Sequence, residues 1–163
     1  MKPKTLLFNC FLSFVPLIAV MCVMLANVTR FDKNIKKPLE ALAYATDIDV
    51  VEENLGNALV YAKQHGMDEG STSLFYESPE TDVAQWFNRL DDVYRELIDV
   101  DPAQEELVLM KVRTVVFGTS EQVQYPFGIE YHPHAREFAL NVVVASIAAM
   151  IGLCVITLMG KKP

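Results

Sequence analysis

The sequence predicts a mainly α-helical membrane protein, in which two transmembrane helices bracket a small antiparallel helical bundle and an extended segment precedes the second span. Two stretches near the ends of the 163-residue chain, 5–28 and 138–159, contain no charged residue. Each is close to the roughly 20 residues that a helix needs to cross a bilayer. The chain between them is polar and repeats apolar residues at helical spacing.

These observations divide the chain into five parts: a tail (1–4), a first span (5–28), a domain (29–137), a second span (138–159) and a tail (160–163). The first span could instead be a cleaved signal peptide. Its apolar run, however, exceeds the usual length of about 7–15 residues, and Met24-Leu25-Ala26 is a poor cleavage signal. An uncleaved anchor is therefore the favoured interpretation.

Basic residues give two indications of topology. Those at the outer ends of the spans place both termini in the cytoplasm and the domain outside it: Lys2, Lys4, Lys161 and Lys162. A second group follows the first span and argues for the opposite orientation: Arg30, Lys33, Lys36 and Lys37. Long loops are translocated largely regardless of their charge, so the first orientation is preferred.

The domain is strongly acidic. It carries 10 of the 14 basic residues and all 21 acidic residues, which gives a net charge of 10 − 21 = −11. Such a surface repels phosphates, so a nucleic acid is not expected as a partner. The cysteines, Cys10, Cys22 and Cys154, all fall in the spans, which excludes disulfides and cysteine-based zinc sites from the domain.

Four helical segments are predicted in the domain. The first span should continue past Phe31, with a kink or a new helix at Pro38. A second helix should cover Val50 to His65, with Asp49 as its cap. A third should begin at Ser78-Pro79-Glu80 and bury a stripe that includes Trp86 and Leu97. A fourth should follow Asp101-Pro102, end at Gly118 and bury Leu107, Met110, Thr114 and Phe117.

Aromatic and small residues are the candidate contact sites. The segment from Thr119 to Glu137 should be extended along the domain or the membrane surface, where its aromatic residues suit the interface. Small residues in the second span, Ala148 and Gly152, allow close approach of another helix. In the domain the candidate partner contacts are Phe75, Tyr76 and Trp86, although burial in the core is the more favoured role for Trp86.

No convincing catalytic or cofactor site emerges from the sequence. His132 and His134 could bind a metal only if acidic residues joined them, and the remaining ligands are not evident. The hydroxyls of Ser71, Thr72 and Ser73 are expected to bond to nearby backbone. The paired acids Asp91-Asp92 and Glu105-Glu106 are expected on solvated helix faces, because adjacent helical residues do not face each other.

Most of the domain resembles a group of bacterial membrane proteins that have two spans and an intervening helical domain. The residues that carry the resemblance are Gly70, Thr72-Ser73-Leu74-Phe75-Tyr76, Pro79, Asp82, Trp86 and Leu90, with Ala58 to Tyr61, Gly66 and Leu109 to Arg113. The resemblance implies this architecture alone.

The function expected from these patterns is non-enzymatic: a structural or accessory subunit that associates with another integral membrane protein, or with itself, through its spans and its domain. The alternative is an extracytoplasmic ligand-sensing module that signals through a separate partner. No cofactor is expected for either function.

Overall fold

The computed structural model describes residues 14–75 and 78–160, and it is mainly helical. The helices are α1 (Val15–Phe31), α2 (Lys37–Ala41), α3 (Ile48–Gln64), α4 (Val83–Ile98), α5 (Glu105–Phe117) and α6 (Ala135–Gly160). The chain divides into a domain, Asn27–Ala135, and a second unit drawn from the sequence on either side of it. Tyr76 and the two tails, apart from Gly160, lie outside the described residues.

Among the described residues, two helices are long and apolar enough to cross a membrane. One runs continuously from Val15 to Ala41 and the other is Arg136–Val155, with mean hydropathy values of 1.5 and 2.4. The predicted second span is confirmed as an apolar helix. For the first span the structure covers residues 14–28, and positions 5–13 lie outside the described part of the chain.

A five-residue π-helix, Asp32–Lys36, joins α1 to α2. Its last hydrogen bond runs from the Lys37 N–H to the Asp32 carbonyl, five residues back. Pro38 follows at once and has no N–H to continue an α-helical ladder, and its ring would crowd the carbonyl four residues earlier. The wider π turn meets this constraint without a break, so the helix leaves the predicted span and enters the domain as one element.

The core of the domain is built from one face of each helix. Phe31, Ile35, Leu39 and Leu42 come from the first helical segment, and Val51, Leu55, Ala58, Leu59 and Ala62 from α3. Val83, Trp86, Leu90, Val93 and Leu97 come from α4, which packs against both α3 and α5. The stripe predicted for α4, which includes Trp86 and Leu97, is therefore confirmed as part of the core.

Two helix starts differ from the prediction. Helix α3 begins at Ile48 because the Asp47 carboxylate, not that of Asp49, caps it by accepting from the Asp49 N–H at 3.0 Å. Helix α4 begins at Val83, because the Asp82 carboxylate accepts from the Gln85 N–H at 2.8 Å. The predicted start at Ser78 was wrong. The Ser78 carbonyl instead closes a turn by accepting from the Thr81 N–H at 2.9 Å.

Helix α5 has the predicted ends but a different buried face. Asp101 caps the Pro102–Gln104 turn that precedes it, and Gly118 ends it with a positive φ of 59°. The buried residues are Val108, Val112, Val116 and Phe117. Of the four residues predicted to be buried, only Phe117 is; Leu107 and Met110 are 61% and 59% exposed, and Thr114 is also exposed.

Polar contacts on both sides of α5 explain its rotation. The Arg113 guanidinium donates to the Ala45 carbonyl at 2.7 Å and to the Leu42 carbonyl at 3.5 Å. Two residues earlier, and so on the other side of the helix, the Lys111 ammonium bonds to both carboxylate oxygens of Glu96 on α4, at 2.5 and 2.6 Å. These contacts keep Val108, Val112 and Val116 facing the core, and they leave Leu107 and Met110 facing outward.

Residues 118–134 form an irregular connector between α5 and α6. The Gln124 N–H donates to the Val116 carbonyl at 2.7 Å, and the Tyr125 ring meets the Phe31 ring edge-on at a centroid distance of 5.1 Å. Ile129 is fully buried. The connector is therefore packed onto the domain by its own apolar residues.

Candidate functional site

The most prominent candidate site is the outward face of α5, which we call the outer stripe: Leu107, Met110 and Thr114. These residues follow at intervals of three and four, so they lie on one face of the helix. The Thr114 hydroxyl donates to the Met110 carbonyl at 2.9 Å and so presents its methyl group rather than an unpaired polar atom. Glu106 is exposed beside the stripe. The outer stripe is thus an apolar surface with an acidic border.

A cavity of about 520 Å³ lies at one end of the outer stripe. Its lining includes Thr114 and Gly118 from the end of α5, Arg89 from α4 and Glu80 from the turn before α4. Tyr125, Pro126 and Phe127 close another side. Neither Glu80 nor Arg89 forms an ion pair with any residue that the structure describes. The cavity therefore combines one cation, one anion and aromatic walls, and its volume lies in the range of small-molecule sites.

The hydroxyl of Tyr125, in this cavity wall, is electrostatically perturbed. Burial raises its pKa above the ordinary value of 10.0, and the nearby Glu130 carboxylate raises the pKa further. Lys36 acts in the opposite direction. Glu130 Oε2 is buried, and no described residue donates a hydrogen bond to it. The neutral form of the Tyr125 hydroxyl is therefore favoured in the folded domain.

The three aromatic contact candidates have different positions. Trp86 is buried in the core, where its indole N–H donates to the Gln124 carbonyl at 2.9 Å. Its neighbour Phe87 is half-buried against the same core. Phe75 is 91% exposed, and Leu74 beside it is also exposed. Of the candidates that the structure describes, Phe75 therefore offers its ring to a partner and Trp86 does not; Tyr76 lies outside the described residues.

The hydroxyl residues serve local structure, as the sequence predicted. Ser71 Oγ accepts from the Ser73 N–H at 3.1 Å and donates to Thr81 Oγ1 at 3.5 Å. Backbone bonds reinforce this link: the Thr72 N–H donates to the Thr81 carbonyl at 2.9 Å, and the Val83 N–H to the Gly70 carbonyl at 3.1 Å. The loop before α4 is therefore closed on itself by its own polar groups.

The two neighbouring histidines also make structural contacts. The His134 backbone N–H donates to His132 Nδ1 at 3.1 Å, so this ring nitrogen acts as a hydrogen-bond acceptor. The His134 ring lies against Gly66 and Gly70, where an added Cβ would be 3.3 and 2.5 Å from ring nitrogens. Within the described residues, no three His, Cys, Asp or Glu side chains are placed to hold a metal ion.

The paired acids point apart. Asp91 bonds to Arg95 one turn later at 2.7 Å, whereas Asp92 is exposed. Glu106 is likewise exposed and Glu105 is half-buried. Neither pair brings two carboxylates together into one site.

In the second span, the small residues lie on more than one face. Ala145 and Ala149 are buried, whereas Ala148 is exposed and Gly152 is half-buried. The Ser146 hydroxyl donates to the Val142 carbonyl at 2.8 Å, within its own helix. Ala148 therefore leaves an open small-residue position on α6, beside the already covered face that Ala145 and Ala149 share.

Comparison with known proteins adds no homologue, since no family model, curated protein or solved structure matches the chain. The sequence did not predict that the outer stripe is exposed, because the helical spacing of its residues is the same as that of a core face. The cavity was missed because its residues come from four separate parts of the domain.

Proposed function

We propose that this protein is a non-enzymatic accessory subunit of a bacterial inner-membrane assembly, and that its extracytoplasmic domain docks onto another membrane protein through the outer stripe. The observation that carries the proposal is the exposure of Leu107 and Met110 on a helix whose other apolar face is already buried. These leucine and methionine side chains are exposed to water, and their burial under a partner lowers the free energy of the system.

The charge of the domain favours a different protein over a second copy of this chain. Two domains that each carry a charge of −11 repel one another, whereas a partner with basic residues is attracted. Glu106 stands beside Leu107 and one turn before Met110, where it can pair with such a basic residue. The expected partner surface is therefore an apolar groove or helix with lysine or arginine on its border.

The spans supply the membrane setting of this proposal. Both apolar helices are long enough to cross the bilayer, and Ala148 on α6 allows a second helix to approach closely. We place both termini in the cytoplasm and the domain outside. A cysteine introduced at Tyr44 should react with a membrane-impermeant maleimide in intact cells, and protection of this cysteine until the cells are lysed would reverse the orientation.

The test of docking is purification in mild detergent of the wild-type chain and of the double variant Leu107→Glu/Met110→Glu. The wild type should bring down a partner in constant stoichiometry, and the double variant should lose it. Val60→Glu is the matched control, since Val60 is an exposed apolar residue on α3. Equal retention by both variants, or a wild-type chain that elutes alone as a monomer, would overturn the proposal.

A second candidate function, ligand sensing, is favoured by the cavity of about 520 Å³. Its Arg89 guanidinium suits a carboxylate and its Glu80 carboxylate suits an ammonium group, so the ligand class is a small zwitterion such as an amino acid. A panel of amino acids should raise the unfolding temperature of the wild-type chain. Arg89→Gln should abolish the shift, while Arg95→Gln on the same helix should keep it. Absence of a shift across the panel would reject this function.

A further inference from the structure

Two contacts fix the position of the connector along the helix that carries Asn27 and Phe31. The Asn27 amide donates to the Tyr131 carbonyl at 3.0 Å, and Tyr125 packs against Phe31. Asn27 and Phe31 lie on one continuous helix, four residues and thus about 6 Å apart. The connector is therefore level with Phe31 at Tyr125 and level with Asn27 at Tyr131. Asn27 lies one turn before Arg30, at the end of the uncharged stretch of this helix.

Phe127 projects from this part of the connector. It is 83% exposed, although Pro126 before it and Ile129 after it are buried. The Ile129 N–H donates to the Pro126 carbonyl at 3.2 Å, and the Tyr131 N–H donates to the Gly128 carbonyl at 3.0 Å. Two consecutive turns thus hold the Phe127 ring outward. Tyr131, whose carbonyl accepts the hydrogen bond from Asn27, is also exposed, so the connector carries two exposed aromatic rings.

Two basic residues, Arg30 and Lys33, lie within two positions of Phe31 on the same helix. Arg30 and Lys33 are exposed, and neither forms an ion pair with a described residue, whereas Lys36 and Lys37 contact Asp32 at 3.9 and 3.4 Å. The rest of the domain has the opposite charge: residues 47–121 contain 17 acidic and 5 basic residues, a net charge of 5 − 17 = −12. An anionic bilayer attracts the first region and repels the second, so it would orient the domain.

We propose that Phe127 and Tyr131 insert into the interfacial layer of an anionic bilayer while Arg30 and Lys33 bind lipid phosphates. Aromatic rings are favoured at this depth because one part of the ring is apolar and its edge tolerates water. The inserted rings anchor the domain to the membrane surface beside its own span. Its opposite end, at the turn that contains Tyr44, is then held away from the lipid.

The first test is depth-dependent fluorescence quenching of the full chain reconstituted in phosphatidylcholine–phosphatidylglycerol vesicles. Phe127→Trp should be quenched by lipids brominated high on the acyl chain, since an interfacial ring lies about 5–10 Å deep. Tyr44→Trp is the control: Tyr44 is 89% exposed but follows Ala41, which is 14 residues and about 21 Å along the helix from Asn27. Trp86, the only native tryptophan, is buried in the core and gives the wild-type background to subtract.

The outcome is decided by comparing the two variants. Stronger quenching of Phe127→Trp than of Tyr44→Trp supports insertion, and equal quenching overturns it. Tyr131→Trp repeats the measurement at the second ring, in case the substitution at Phe127 disturbs the turn.

The second test addresses the charges. Quenching of Phe127→Trp should weaken in vesicles of phosphatidylcholine alone and in the Arg30→Gln/Lys33→Gln background. The matched control is Lys63→Gln, which removes one exposed lysine elsewhere in the domain. Quenching that is independent of vesicle charge would overturn the proposed phosphate contacts.

Discussion

The indole N–H of Trp86 donates to the carbonyl of Gln124 at 2.9 Å, and this bond joins the first turn of α4 to the connector 38 residues later. The backbone N–H of the same Gln124 donates to the carbonyl of Val116 at the end of α5. The connector is thereby tied to two helices at one residue, immediately before the aromatic segment that carries Tyr125, Phe127 and Tyr131.

Removal of the Trp86 ring should strongly destabilise the domain. Trp86→Ala leaves a large cavity, and we expect it to lower the free energy of unfolding by about 3–5 kcal/mol. Trp86→Phe keeps most of the packing but leaves the Gln124 carbonyl without its donor, at a cost of about 1–3 kcal/mol. Urea unfolding of the full chain in detergent, followed by circular dichroism, measures both changes.

The control for the Trp86 variants is Phe75→Ala, which should change stability by less than about 0.5 kcal/mol because the ring is exposed. A loss below about 1 kcal/mol for Trp86→Ala, the range of surface changes, would contradict the core position of Trp86.

Arg113 and Lys111 should differ in their contributions although they are neighbours on α5. Arg113 bonds to backbone carbonyls of residues 42 and 45 in a half-buried position, so Arg113→Met should cost about 1.5–3 kcal/mol. Lys111 and Glu96 are both about half exposed, so Lys111→Met should cost less than about 1 kcal/mol. Equal losses in urea unfolding would show that the Arg113 contacts stabilise the domain no more than the Lys111–Glu96 ion pair does.

The sequence predicted the helices well because each carries a strong periodic signal. In α3 and α4 only one face is apolar enough to be buried, and residues such as Leu55 and Leu90 lie where the period places them. The start of α4 was predicted wrongly for a local reason. Ser78-Pro79-Glu80 has suitable capping chemistry, but the Ser78 carbonyl and the Thr81 hydroxyl bond to each other, at 3.2 Å, and the helix begins after Asp82.

The outer face of α5 was not predictable from periodicity. Val108 and Leu107 are adjacent and each begins an apolar stripe, so the pattern allows either face to be buried. The choice depends on tertiary contacts made by Arg113 and Lys111 with residues far away in sequence. The same limit applies to the cavity, since no local pattern relates Arg89 to Tyr125.

Two glycines with the same backbone conformation should respond differently to alanine. Gly70 and Gly128 both have a φ of +89°, which strains any residue with a Cβ by about 1–2 kcal/mol. At Gly70 an added Cβ would also lie 2.5 Å from His134 Nδ1, whereas at Gly128 it meets nothing within 4 Å. Gly70→Ala should therefore be the more destabilising substitution in urea unfolding.

A double-mutant cycle separates the two causes. His134→Ala removes the ring that the new methyl group would meet, so the cost of Gly70→Ala should fall toward that of Gly128→Ala in this background. An unchanged cost would mean that His134 does not pack in the space beside Gly70.

Ionisation of Tyr125 should make stability fall at high pH. Burial and the Glu130 carboxylate raise the pKa of its hydroxyl in the folded state, whereas in the unfolded chain the pKa stays near 10.0. Above pH 10 the unfolded chain therefore releases a proton that the folded domain still holds. The contribution of this group to stability is complete below pH 10 and is lost as the pH rises toward the folded-state pKa.

Tyr125→Phe has no proton to lose at this position, so its stability should decline less steeply than that of the wild type above pH 10. Urea unfolding at a series of pH values from 8 to 11 measures how steeply the stability of each protein falls with pH. Lysine titration contributes equally to both slopes. Tyr44→Phe is the control, because it removes the same hydroxyl group from an exposed tyrosine elsewhere in the domain. Parallel curves for Tyr125→Phe and wild type would show that the Tyr125 hydroxyl ionises as readily in the folded domain as in the unfolded chain.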